Sequence, residues 1–346
     1  MKNIYLIIIS IFTFVLFSTN ALAVGEGIGS TAGEFSKVGG AGGQFLKIGV
    51  GARATAMAGA YGSVVDDLSS IHWNPAGLAK IKNMSAEFSY NQWFATYSQN
   101  FGAIAMPMGS DFTIAASVVN LTSGNIPVTT IERPSGTGSN YSISDLALSL
   151  SLAGYLTDQF SFGITAKLVN NSFASVSSSG LAFDIGTLFD TQFLGIKLGF
   201  SIHNLGMTQN YSGSDLLTTK KLWESMYSAP LDANYNSFEY SLPLIFRAGI
   251  SSDIYKDDEH AVLGSLDFTT YSDVPEQFAL GAEYVWNDLV AIRGGYLIGQ
   301  DQFGLAGGFG IKYDGGAFGG RIDYSINPTK TLGLVNRITI GLNFGE

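Results

Sequence analysis

Apolar residues alternate with polar or very small residues along most of this chain, from about residue 85 to the C-terminus. In the last such segment Ile338, Ile340 and Leu342 fall on one face, while Arg337 and Thr339 fall on the other. A period of two is the pattern of a β-strand whose two faces meet different surroundings. We find about 14 such segments of roughly ten residues, each followed by turn residues, which predicts an all-β protein. They are centred near residues 85–95, 98–107, 111–121, 142–154, 158–170, 178–189, 194–204, 242–254, 260–270, 276–286, 289–298, 302–313, 316–326 and 333–344.

The two faces of these segments differ sharply in charge, which narrows the choice of β fold. The chain is 46% hydrophobic and only 13% charged, with a mean hydropathy of +0.22, so a large apolar surface needs a place away from water. In a soluble sandwich the apolar faces would form the core between two sheets. In a membrane barrel they would face lipid, and the charged faces would line the lumen. The charged residues on the second face are Lys167, Asp184, Lys197, Arg247, Asp267, Glu283, Arg293, Lys312, Arg321, Asp323 and Arg337.

Three features favour the membrane barrel over the sandwich. The strands are long enough for a tilted bilayer crossing, aromatic residues cluster near strand ends, and successive strands follow one another through hairpin-like connections. Short connections alternate with longer ones at 122–141, 171–177, 205–241 and 327–332, as expected when only one rim faces a confined compartment. We therefore predict a transmembrane antiparallel β-barrel over residues 83–346. Its last strand should pair with its first, and both ends should lie on the periplasmic side.

The N-terminus has the pattern of a secretory signal peptide. Lys2 is followed by an apolar run over residues 4–17 and by the cleavage-type sequence Ala21-Leu22-Ala23. We assign residues 1–23 to this signal and predict export to the outer membrane of a Gram-negative-type bacterium. The net charge of −10 argues against a nucleic-acid partner.

Residues 24–82 do not alternate and form a separate segment. A barrel of about 14 strands is too wide for wall side chains alone to fill. We therefore predict that this segment is a plug inside the barrel, with short helices over 52–60 and 64–71. Asn74, Pro75, Ala76 and Gly77 are expected to form a turn that leads into the first strand.

The plug segment also resembles a known family. Residues 45–79, FLKIGVGARATAMAGAYGSVVDDLSSIHWNPAGLA, are similar to the N-terminal signature of the PorV/PorQ proteins, which belong to the FadL-like outer-membrane barrels. The Asn-Pro-Ala-Gly sequence at 74–77 matches directly. Arg53, Asp66 and Asp67 fall where the family pattern has its Gly-Ala-Arg-Ala sequence and its acidic pair.

The resemblance implies a role in type IX secretion, in which the barrel receives exported proteins at the outer membrane. Its partners would be outer-membrane lipid, secretion-machinery proteins and exported cargo. An alternative is a FadL-like channel for uptake of hydrophobic small molecules such as fatty acids or hydrocarbons. A purely structural or adhesive protein is a third possibility.

No pattern in the sequence indicates catalysis, a metal or another cofactor. The chain has no Cys, and its three His lie far apart in sequence, without metal-ligand spacing. We therefore predict that the protein is not an enzyme. Arg53 is expected to pair with an acidic wall residue, and the candidates are Asp184, Asp267, Glu283 and Asp323.

The longest connection, 205–241, is the other candidate functional region. Residues 215–226 are predicted to form a short amphipathic helix with an apolar side. This helix would be a lid, a docking surface for a partner, or a loop that packs over the barrel mouth. Its apolar residues include Leu216, Leu217, Trp223 and Met226.

Overall fold

Fourteen antiparallel strands form a closed barrel in the computed structural model, which describes residues 40–109, 111–221, 229–315 and 318–345. Each strand pairs with the next, and the last pairs with the first, with Met84 opposite Phe344. The predicted transmembrane barrel fold is therefore confirmed, whereas the signal peptide lies outside the described residues. We number the barrel strands β1 Met84–Gln92, β2 Ser98–Met108, β3 Phe112–Thr122, β4 Ile143–Thr157, β5 Phe160–Phe173, β6 Val176–Asp190, β7 Lys197–Gly206, β8 Ile245–Lys256, β9 His260–Tyr271, β10 Gln277–Trp286, β11 Val290–Ile298, β12 Leu305–Asp314, β13 Phe318–Pro328 and β14 Leu334–Phe344.

Apolar side chains face outward and polar side chains face inward, which inverts the arrangement of a soluble protein. In β4, Leu148, Leu150 and Leu152 are exposed, while Ser149 and Ser151 between them are buried. Each of the 14 strands carries at least one large apolar side chain that is exposed. An apolar outer surface and a polar interior are the properties of a barrel that is solvated by lipid.

The two ends of the barrel differ, and we name them by their connections. The terminal end is the end where β1 begins and β14 finishes; the loop end is the opposite one. At the loop end residues 123–142 and 207–244 make the longest connections. They contain two small ribbons, which pair Ile126–Pro127 with Asn140–Tyr141 and Leu217–Lys220 with Leu231–Asn234.

Two expectations about these connections were wrong. Residues 171–177 are not a long loop, because β5 and β6 stay paired as far as Phe173 and Val176 and leave only a two-residue turn. The amphipathic helix over 215–226 is also absent from its described part. A single 3₁₀ turn, Ser214–Leu216, is followed directly by the strand Leu217–Lys220, in which two Thr favour the extended conformation.

Short helical turns make up the segment that precedes the barrel. A 3₁₀ helix covers Gln44–Lys47, α1 covers Ala52–Ala56, α2 covers Ser70–Trp73, and a second 3₁₀ helix covers Pro75–Lys80. None of the helices in the described ranges is long and apolar enough to cross a membrane.

The helix expected over residues 64–71 was misplaced. Turns at residues 62–64 and 68–69 lie there instead, and the amides of Val64 and Val65 both donate to the Tyr61 carbonyl. The Asp67 carboxylate then accepts a hydrogen bond from the Ser69 amide at 3.0 Å, and such local side-chain bonds compete with a helix. The helix α2 therefore begins only at Ser70.

Candidate functional site

Residues 40–83 lie inside the barrel and form the plug. Their apolar side chains, including Phe45, Met57, Tyr61 and Leu78, are among the most deeply buried in the protein. Packing between these side chains and the inward faces of the strands fills the middle of the lumen.

The Asn-Pro-Ala-Gly sequence joins the plug to the barrel wall. The Asn74 amide donates to the carbonyl oxygens of Gly62, within the plug, and Thr187, on β6, at 2.8 and 3.1 Å. Its side-chain oxygen accepts a bond from the Ala76 amide and so caps the second 3₁₀ helix. The Ala76 carbonyl accepts a bond from the Ser161 hydroxyl on β5. This sequence is therefore a structural connection between plug and wall.

Glycines on the inner wall allow the plug backbone to approach the strands closely. A Cβ atom on Gly163 would lie 2.3 Å from the Pro75 carbonyl carbon, and one on Gly199 would lie 2.2 Å from the Gly62 carbonyl oxygen. A Cβ atom on Gly295 would lie 2.4 Å from the carbonyl carbon of Met57. The alternating pattern shows these glycines only as small residues on the inward faces of strands. The structure shows that they leave room for the plug backbone.

Arg53 connects the plug to the wall through charge. Its guanidinium makes two hydrogen bonds to the Glu283 carboxylate, at 2.7 and 2.8 Å. It also donates to the Tyr61 hydroxyl at 3.1 Å and pairs with Asp66. Of the four acidic wall positions considered from the sequence, Glu283 is the partner in the structure.

The ion pairs continue from Arg53 around the wall. Arg293 pairs with Glu283 and with Asp323, the latter at 2.6 Å. Arg321 pairs with Asp67 of the plug at 2.8 Å and with Glu87 of β1 at 2.6 Å. Plug and wall therefore share one network of buried charges near the terminal end.

Burial and charge act in opposite directions on the plug members of this network. Burial alone would raise the pKa of Asp67, but Arg321 and Arg53 outweigh it and hold that pKa well below its usual value. Burial would lower the pKa of Arg53, but Asp66 and Glu283 raise it well above its usual value. Both groups are therefore charged at neutral pH.

A cavity of about 450 Å³ lies between the plug and the loop end of the barrel. Trp73 of the plug contributes to its lining, together with Trp93, Tyr271 and Phe303 from the ends of strands and their connections. The rings of Trp93 and Phe303 stack with centroids 5.6 Å apart. We call this space the loop-end cavity.

Two arginines of the wall also line the loop-end cavity. Arg247 is 2% exposed; its guanidinium lies 4.9 Å from the Trp73 ring centroid and donates to the His72 carbonyl oxygen. Arg337 is 3% exposed, and its Nε has no hydrogen-bond partner among the described residues. Across the described ranges, neither guanidinium has a carboxylate within ion-pair distance.

A second cavity, of about 350 Å³, opens at the terminal end. Its lining is polar and includes Asp66, Lys80, Glu87 and Arg321. Burial lowers the pKa of Lys80 to about 8, despite the nearby Asp66 carboxylate. The two cavities thus differ in chemistry, and the plug lies between them.

One hydrogen-bonded group has the residue types of a serine hydrolase but lies where a substrate has no access. His203 contacts the Ser201 hydroxyl at 2.8 Å and the Asp184 carboxylate at 2.9 Å. All three side chains are at most 3% exposed and line neither cavity, and the Ser201 hydroxyl donates to the Trp73 carbonyl. The group therefore holds α2 of the plug against the wall.

Within the described ranges no group of three His, Cys, Asp or Glu residues could hold a metal ion.

The loop residues singled out from the sequence do not join the loop-end cavity. Leu216 is half-buried and Leu217 is 65% exposed, and neither lines that cavity. Trp223 and Met226 lie outside the described residues. The sequence did place Arg247 and Arg337 on the inward face, but only three-dimensional pairing distinguishes them from the arginines that have carboxylate partners.

Comparison with known proteins identifies the fold. No family model and no curated protein matches the chain. Among solved structures, the CymD monoaromatic hydrocarbon channel has a TM-score of 0.58 at 14% identity, covering 86% of this chain and 98% of that one. This chain has a FadL-like barrel fold. The Ralstonia pickettii toluene transporter TbuX gives 0.52 at 14% identity, with 86% and 99% covered. A Pseudomonas aeruginosa FadL homologue gives 0.50 at 13% identity, with 86% and 98% covered.

Proposed function

We propose that this protein is an outer-membrane channel that takes up hydrophobic small molecules, and that the loop-end cavity is where they first bind. The observation that carries the proposal is the cavity itself, which has an aromatic lining and lies above a plug in a lipid-facing barrel. Apolar cavities with a few polar groups are the usual form of small-molecule sites. Similar solved barrels are described as hydrocarbon channels or transporters, which supports the same function.

The orientation of the barrel in the membrane follows from the lengths of the connections at its two ends. The long connections belong on the outside of the cell, so the loop-end cavity faces the medium and the terminal end faces the periplasm. A ligand in the cavity is then separated from the periplasm by the plug, and passage requires the plug to shift. The charged network through Arg53 and Arg321 holds the plug in place until it does.

A substitution that fills the cavity tests this function. Ala306 lines the loop-end cavity and is 5% exposed, so Ala306→Trp should occupy the space of a ligand. Ile292, on the neighbouring strand, is 59% exposed toward lipid, and Ile292→Trp is the matched control. Toluene uptake is measured in a deletion strain that carries the wild type or either variant, after equal levels of folded protein have been established.

We expect Ala306→Trp to reduce toluene uptake to the level of the deletion strain, while Ile292→Trp supports uptake like the wild type. Equal uptake by the deletion strain and the wild type would overturn the proposal.

A second candidate is the type IX secretion role implied by the resemblance of residues 45–79 to the PorV/PorQ proteins. Its support is the loop end, where Ile131 and Phe238 each lie 96% exposed on long connections and offer apolar contacts to a protein partner. Isolation of the barrel in mild detergent, from cells that have the secretion system, tests it. A barrel that is always recovered without other proteins would speak against this role.

A further inference from the structure

The loop-end cavity combines an aromatic lining with two buried cationic side chains that form no ion pair with any described residue. Arg247 and Arg337 are 2% and 3% exposed, so water provides little solvation for either guanidinium. An arginine in a protein stays protonated, and a buried charge without a partner is strongly unfavourable. Their position on the cavity lining suggests that an anion completes the site when a ligand is bound.

The described carboxylates near the cavity form no ion pair with Arg247 or Arg337. Asp273 pairs with Lys47 at 2.9 Å and also accepts a hydrogen bond from Gln44. Asp301 lines the cavity but is exposed at its mouth. Asp267 accepts a hydrogen bond from the Gly62 amide at 2.6 Å and does not line the cavity. No described carboxylate forms an ion pair with either arginine, but Asp267 lies near enough to Arg247 for its charge to act on that guanidinium. Arg337 is therefore the arginine without a neutralising group among the described residues.

The rest of the lining selects the body of the ligand. Trp73, Trp93, Tyr271 and Phe303 present ring surfaces, and aromatic rings prefer stacked or edge-to-face contacts with other rings. A volume of about 450 Å³ is at the small end of the range for ligand sites, which suits a compact molecule. A planar guanidinium is also matched to a carboxylate, which it can bind through two parallel hydrogen bonds.

We propose that the loop-end cavity binds compact aromatic carboxylates, with the acid group at Arg337 and the ring among the aromatic side chains. This inference rests on the proposed uptake function and narrows its substrate class from hydrophobic small molecules in general to aromatic acids. Arg337 supplies the free donor, since its Nε has no partner among the described residues. Arg247 is already held by the His72 carbonyl and the Trp73 ring, so it adds charge at a fixed position.

Ligand binding to the purified full-length protein in detergent tests the proposal. The ligands are benzoate and phenylacetate, toluene and benzyl alcohol as neutral molecules of similar shape, and octanoate as a non-aromatic acid. The variants are Arg337→Gln, Arg337→Lys and the control Lys312→Gln, which removes one positive charge at the terminal-end cavity. Circular dichroism and retained toluene binding establish that each variant is folded.

We expect the wild type to bind benzoate or phenylacetate at least tenfold more tightly than toluene, because charge-assisted hydrogen bonds contribute that much. Arg337→Gln should remove this preference without weakening toluene binding, Arg337→Lys should restore part of it, and Lys312→Gln should behave like the wild type. Tighter binding of octanoate than of phenylacetate would overturn the aromatic specificity.

Two further outcomes separate this inference from the uptake function. If toluene binds as tightly as benzoate and Arg337→Gln changes neither affinity, the anion site is overturned while the uptake function stands. If the wild type binds none of the five ligands, both the anion site and the loop-end cavity as an uptake site are overturned.

Discussion

At the scale of single residues, Arg53 is the clearest link between plug and wall. Its two hydrogen bonds to Glu283 are in a region largely closed to water, since the side chains are 13% and 5% exposed. The pair Lys197–Asp253 makes a useful contrast, because it is longer, at 3.7 Å, and more exposed, at 24% and 36%. Ion pairs of the second kind contribute little to stability, whereas removing one partner of a buried pair is strongly destabilising.

Replacing Arg53 with Met should release the plug. The change removes positive charge next to Glu283, Asp66 and Asp67, so the free energy of unfolding should fall by about 3–5 kcal/mol. Lys197→Met should lower it by about 0–1 kcal/mol. Single-channel conductance in planar bilayers measures the result: the Arg53 variant should show frequent open events, and the Lys197 variant should stay closed. A double variant Arg53→Met/Glu283→Gln should close the channel partly again. Closed channels in the single Arg53 variant would contradict the link.

The sequence narrowed the wall partner of Arg53 only to four acidic residues. Alternation placed four acidic residues on inward faces, but which of them meets Arg53 depends on strand register and on the path of the plug. The same limit applies to Arg337. It sits on a face that the pattern identifies as inward, and only the neighbouring strands show that no carboxylate of the described residues forms an ion pair with it.

At the scale of elements, the plug is positioned by the wall rather than by its own helices. The helices α1 and α2 have five and four residues, too few for independent stability. Glycines on the facing strands allow the plug backbone to approach the wall at Met57, Gly62 and Pro75, since a Cβ atom at those glycines would collide with it. This is why strand positions followed from the sequence to within a few residues, while the helix expected over 64–71 did not. Periodicity specifies a strand, but tertiary contacts decide these short turns.

A single methyl group on the wall should therefore disturb the plug. In Gly163→Ala the added carbon would lie 2.3 Å from the Pro75 carbonyl carbon, so the backbone must move, at a cost of about 1–3 kcal/mol. Gly294→Ala is the control, because its added carbon would lie 3.9 Å from the Ala306 carbonyl oxygen, which is ordinary van der Waals contact. Hydrogen exchange at the amides of residues 74–80 should become faster in the first variant alone. Equal exchange in both would show that the plug is not seated on these glycines.

At the scale of the whole molecule, the closed sheet and its apolar outer face depend on each other. A sheet in lipid cannot leave an edge unpaired, and the pairing of β1 with β14 removes that edge. Once the sheet is closed, the outer face meets acyl chains and the inner face holds the charges that secure the plug. Alternation, strand length, aromatic residues near strand ends and hairpin-like connections together indicated both properties in the sequence, so the fold was predictable while the cavities were not.

The apolar outer face predicts at which positions the barrel tolerates a charged side chain. Leu150 lies in the middle of β4 and is 69% exposed on the outer face, so Leu150→Arg should destabilise the barrel in lipid by about 2–4 kcal/mol. Phe238 is even more exposed, at 96%, but it lies in the 207–244 connection at the loop end, and Phe238→Arg should have little effect. Urea unfolding of the barrel in lipid vesicles measures both changes. If Leu150→Arg is as stable as the wild type, or if the folded wild type stays in solution without any amphiphile, then lipid is not the solvent of this outer face.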